Sequence, residues 1–121
     1  MIALDGERIH RGSLVLDLHV HGPGFVPQPF RTAWRAVTVG APADVGFDAL
    51  RAGGVDAAVA MAVGDPVVTR WYLGRDSWDA VEAQLIRLER QAADAGARVV
   101  RSVEGMLQAR SRNQPAVLLG T

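Results

Sequence analysis

Cysteine is absent from the 121 residues, which excludes a disulfide framework, a thiolate metal site and a cysteine nucleophile. A chain without cysteine fits a reducing compartment, so a cytoplasmic location is the expectation. Lysine is missing too, and the 13 arginines are balanced by 13 acidic residues. That balance shows no basic stripe for nucleic acid and no like-charge tail. Long apolar runs are absent as well. Nothing approaches the roughly 18 consecutive apolar residues of a membrane span, so no membrane insertion is expected. The opening "MIALDGERIHRG" carries charges and no apolar core, unlike a secretory signal. Residues 1–121 read as a single unit, with 1–12 as an N-terminal extension in which His10 is solvated.

Histidine is scarce, with three in the chain, yet two of them stand in "LVLDLHVHGPG" over residues 14–24. From Ser13 to His21 the pattern alternates. Leu14, Leu16, Leu18 and Val20 fall on one side of a strand, and Asp17, His19 and His21 on the other. The first face is expected to pack against helices. The second turns polar towards the strand's carboxyl end, as a barrel strand does where a packed interior gives way to chemistry.

Residues 22–43 hold four of the six prolines and read as a long loop. A short helix is expected over "ADVGFDALRAGG", with Val45, Phe47 and Leu50 as its apolar contacts. A strand covered on both faces follows over 55–63. After a second loop, Trp78, Val81, Leu85, Leu88 and Ala92 recur at helical spacing between Asp76 and Ala95. A short strand "ARVVRS", a helix opened by Ser102 and a buried strand "PAVLLG" complete the chain. Alternating strands and helices predict an α/β fold with parallel strands, resembling the first part of a (β/α)8 TIM barrel. A whole barrel takes ~250 residues.

His19 and His21, two apart on a strand, project from one face roughly 7 Å apart at the backbone. Neutral imidazole is the commonest nitrogen ligand of zinc, so both are candidate metal ligands. Asp17, deeper on the same face, is a candidate acceptor to orient an imidazole. Asp65, Arg70, Trp71 and Tyr72 on the second long loop, and Trp34 on the first, are candidate walls of a substrate pocket, whereas Trp78 reads as helix core. Glu104 is structural, a carboxylate favouring a helix start. No Walker loop, Ser-His-Asp pattern or GxGxxG is present.

The HxH strand end resembles the opening strand of the amidohydrolase superfamily. More narrowly, the chain from about Leu14 resembles the N-terminal part of the membrane (renal) dipeptidase family. Asp17 and His19 fall on that family's Asp-Gly-His-Asn-Asp type motif, "DALRAGGVDAAVAMAV" on its second segment and "VVRSVEGMLQARSRNQPAVLLGT" on its third. His21 stands where the family carries aspartate, and Leu18 where it carries glycine. The resemblance implies a zinc-dependent dipeptidase, with two ions in the complete enzyme and a small peptide as substrate. It also implies an N-terminal fragment of an incomplete barrel, inactive alone and open-edged to a second copy or to the remainder of the barrel. The alternatives are another HxH metallohydrolase, such as a phosphoesterase, and a non-catalytic α/β interaction module.

Overall fold

A computed structural model describes residues 5–25, 28–37, 46–64, 70–71, 74 and 76–121. The strands are β1 (Leu16–Val20), β2 (Ala57–Met61), β3 (Arg98–Val99) and β4 (Ala116–Gly120). The helices are α1 (Gly6–Gly12), α2 (Gln28–Val37), α3 (Phe47–Ala52), α4 (Ser77–Asp94) and α5 (Val103–Ser111). All strands run parallel in one sheet of order β1-β2-β4-β3. This is the α/β class expected. β1 neighbours β2, and β4 lies between β2 and the two-residue β3, a crossover where the strands of a barrel would follow in sequence.

Alanine sets the thickness of the sheet's centre. Ala57, Ala58 and Ala60 of β2 and Ala116 of β4 are buried, and neighbouring residues on a strand face opposite ways. Ala58, Ala60 and Val117 join one core with Phe47 and Leu50 of α3 and Val81, Leu88 and Ala92 of α4. Ala57 and Ala116 join a second core with Met106 and Ala109 of α5. Helices α4 and α5 therefore cover opposite faces, and small side chains between them let both approach closely.

The caps form as their residue types dictate. Asp76 Oδ1 accepts the Trp78 N–H at 2.9 Å to open α4, and Ser102 Oγ accepts the Gly105 N–H at 3.1 Å to open α5. At the amino-terminal end of the sheet, Asp56 Oδ2 accepts the Val15 N–H at 2.8 Å. Its other oxygen pairs with Arg110 Nε at 3.2 Å, and Arg110 Nη2 donates to the Ser13 carbonyl at 2.9 Å. One carboxylate thus joins the starts of β1 and β2 to the end of α5.

Four expectations need correction. Residues 28–37 are helical, not loop. Pro29 sits in the first turn, where the missing N–H costs nothing, and Phe30, Ala33, Trp34 and Val37 keep helical spacing. Residues 6–12 form α1, capped by Asp5, and exposed His10 bonds through Nε2 to the Gly53 carbonyl at 3.0 Å instead of being merely solvated. Trp78 is 74% exposed, because Ser77 and Val81 take the helix's contact with Gly64. Finally, the apolar side of β1 is not a packed face: Leu16 is 46% and Leu18 72% exposed, and only Val20 packs against the first core. β1 is an edge strand of the sheet and, among the described residues, pairs on one side only. Val45 lies outside the described residues. Among the described residues no helix is long and apolar enough to cross a membrane.

Gln84 on α4 closes the end of β2. Its Nε2 donates to the Val63 carbonyl at 2.7 Å, and its Oε1 accepts the Val63 N–H at 3.2 Å. Gln84→Leu strands both half-buried backbone groups, and we expect a loss of about 1–3 kcal/mol in urea denaturation. An unchanged midpoint would refute this role.

Candidate metal-binding site

The end of β1 departs from simple alternation. Asp17 aligns with Ala58 and Val20 with Ala60 of β2, so three residues of β1 span two of its neighbour. This is a bulge, and it reverses which residues share a face. The wall of Asp17, His19 and His21 expected from strict alternation therefore does not run through the strand. Asp17 Oδ1 accepts the backbone N–H of His19 at 3.1 Å, so its contact is with the bulged chain and not with an imidazole.

The two imidazoles nevertheless meet. His19 Nε2 and His21 Nε2 stand 3.1 Å apart, with ring centroids 4.7 Å apart and planes crossed at 84°. Without an ion, one Nε2 donates its proton to the other. His21 then has Nδ1 buried with no hydrogen-bond partner, whichever tautomer it adopts. Phe25 stacks on the His21 ring at 3.8 Å between centroids and 9° between planes. It holds one face of the ring while His19 meets its edge.

The turn that returns Phe25 to the ring is set by α4. The Phe25 N–H donates to the Gly22 carbonyl at 3.2 Å, and Gln91 Nε2 donates to the Pro23 carbonyl at 2.9 Å. Gln91 Oε1 is buried without a partner. Gly22 is itself buried, and a Cβ there would collide with Leu88 Cδ2.

Two nitrogens bound to one zinc at about 2.0–2.1 Å stand roughly 3.0–3.5 Å apart, and the 3.1 Å between the two Nε2 atoms falls in that interval. The separation therefore suits a shared ion once the rings turn both lone pairs towards it. Among the described residues no group of three histidine, cysteine, aspartate or glutamate side chains converges to hold one. No family model, no curated protein and no solved structure matches the chain. The site is read from its own geometry.

Of the expected pocket walls, Arg70 and Trp71 fall among the described residues. Arg70 and Trp71 are exposed, Trp71 at 84%. The backbone of Trp34 lies in α2, but its side chain is outside the described set, and so are Asp65 and Tyr72 altogether. Phe25, Gly22 and Gln91 were missed. The "HGPG" run signalled a turn, but no spacing linked residues 22–23 to a glutamine nearly seventy positions away.

Gly22→Ala tests the packing of this turn. Overpacking against Leu88 is expected to destabilise the fold by about 1–3 kcal/mol. It should also broaden the His21 ring resonances in proton–nitrogen NMR spectra. A variant as stable as the parent, with unshifted His21 signals, would show that the turn yields freely.

Proposed function

We propose that His19 and His21 bind one divalent ion, zinc by the preference of imidazole ligands, and that the chain carries part of the metal centre of a hydrolase acting on dipeptides or similar amides. The observation that carries this reading is the 3.1 Å approach of the two Nε2 atoms at the carboxyl end of β1. That is the end of a parallel sheet at which α/β proteins place their sites. The membership in the dipeptidase family and the second ion of the complete enzyme rest on the motifs of the sequence.

His19 and His21 would hold the ion through Nε2. Bound there, an ion supplies Lewis acidity to a carbonyl oxygen and acidity to a coordinated water. The chain's own contribution is positional. Phe25 fixes the His21 plane, Asp17 fixes the backbone at His19, and Leu88 and Gln91 hold the turn between α4 and the ring. Leu88 also excludes water behind Gly22, since it fills the space a side chain would need.

Cobalt(II) titration followed by visible absorption tests the ion site. We expect saturation at one ion per chain, weakened at least about tenfold by either His19→Ala or His21→Ala. Saturation unaffected by both substitutions would sink the assignment.

With two histidine ligands among the described residues, dipeptide turnover by this chain should not exceed that of the His19→Ala, His21→Ala double variant. Substrate class is therefore read by binding to the cobalt-loaded chain. A phosphinic dipeptide analogue should shift the cobalt spectrum, because it presents a tetrahedral centre in place of the scissile amide. A shift with a phosphate monoester and none with the dipeptide analogue would replace the dipeptidase reading with a phosphoesterase.

A further inference from the structure

At the opposite end of the sheet, basic side chains from three separate elements line one cavity of about 180 Å³. Arg11 comes from α1, Arg51 from α3 and Arg110 from α5, and His10 adds an imidazole. Several waters fit in this space, and so does a tetrahedral oxyanion with a small group attached.

The charges in this wall are not balanced. Asp56 is its single acid, and both of its oxygens are engaged, one by the Val15 N–H and one by Arg110 Nε. Arg11 reaches Glu7, which is outside the wall, at 3.2 Å in a pair whose two side chains are highly exposed. Such a pair contributes little and releases its arginine readily. Arg51 has no hydrogen-bond or ion-pair partner among the described residues. Three guanidinium groups against Asp56 and the Glu7 paired with Arg11 leave a net charge of +1, rising to +2 once Arg11 leaves Glu7. Gathering like charge in a concave site costs free energy unless an anion returns it.

We propose that this cavity binds a phosphate group, as inorganic phosphate or as the monoester of a small molecule. Phosphate carries about −1.5 to −2 charge at neutral pH, which matches the wall, whereas a carboxylate would neutralise half of it. Arginine's planar fork suits paired phosphate oxygens, and Arg51 and Arg11 are the two not committed within the wall. Arg110 already bonds Asp56 and the Ser13 carbonyl, so it sets the floor and the field. The cavity is bounded by residues that precede β1, β2 and β4, and the histidine pair by residues that end β1. The phosphate site is therefore independent of the divalent ion.

The test is an NMR titration of the full chain, stripped of metal with EDTA, with inorganic phosphate in one arm and glycerol phosphate in the other. Saturable shifts at His10, Arg51 and Asn113 are expected. Affinity should fall about tenfold in Arg51→Ala and in Arg11→Ala, both exposed positions whose thermal melting should match the parent. Binding should persist in the His19→Ala, His21→Ala double variant, which separates this site from the ion site. The tighter arm identifies free phosphate or an ester as the ligand, and either result upholds the site. Failure of both arms to saturate at tens of millimolar would overturn the proposal. So would affinities unchanged in both arginine variants, or loss of binding in the double histidine variant.

Discussion

One stripe of α4 holds the exits of two strands. Gln84, Leu88 and Gln91 follow one another at spacings of four and three, so they share a face of the helix. Gln84 bonds both backbone groups of Val63 just past β2, and Gln91 bonds the Pro23 carbonyl just past β1. Leu88, buried between them, meets Gly22 where any side chain would collide. Gly64 repeats this at the other exit, where a Cβ would stand 2.9 Å from the Ser77 carbonyl and 3.0 Å from Val81. Backbone leaving a strand must find partners or water. Here the helix supplies the partners, and two glycines let it come close enough to do so.

The histidine pair depends on that closeness. His21 lies one residue past β1 and would be free to swing if the next residues were loose. Instead Gly22 is pressed against Leu88, Pro23 is tied to Gln91, and the turn they form brings Phe25 onto the ring. His19 is still within the strand, held by the bulge and by the Asp17 carboxylate at its amide. One imidazole is therefore placed by the strand and the other by the helix. A pair of rings placed by two elements keeps its spacing only while they stay packed, so that spacing depends on the core beneath Leu88.

How much of this was legible in the sequence differs element by element. The class of fold, α4 by its spacing, α5 with Ser102, and the buried strands β2 and β4 followed from periodicity and capping chemistry, both local signals. Helix α2 was obscured because prolines were weighed as breakers when Pro29 stands in a first turn, where proline is harmless. The two faces of β1 were misjudged for a different reason. Alternation shows which residues share a side only if the register is unbroken, and the bulge between Asp17 and Val20 appears as a register against β2, not as a residue type. Leu16 and Leu18 read as core because of their chemistry, yet both stand exposed on an edge strand. The histidines were found because of their rarity and spacing. Gln84 and Gln91 were not, since a half-buried glutamine reads as a polar surface residue until its carbonyl partner is known.

The two ends of the sheet divide the polar chemistry between them. At the amino-terminal end, Asp56 is consumed in structure by Val15 and Arg110, which leaves an excess of guanidinium around it. At the carboxyl end the partners are neutral amides and imidazoles, and the unsatisfied atoms are a ring nitrogen of His21 and the Gln91 oxygen. The proposed anion answers the surplus positive charge, and the proposed cation the two imidazole nitrogens 3.1 Å apart. Parallel strands make this separation possible, because every strand of the sheet starts at one end and finishes at the other. Asp17 serves the backbone of His19 across the register shift, and the rings of His19 and His21 meet beyond it.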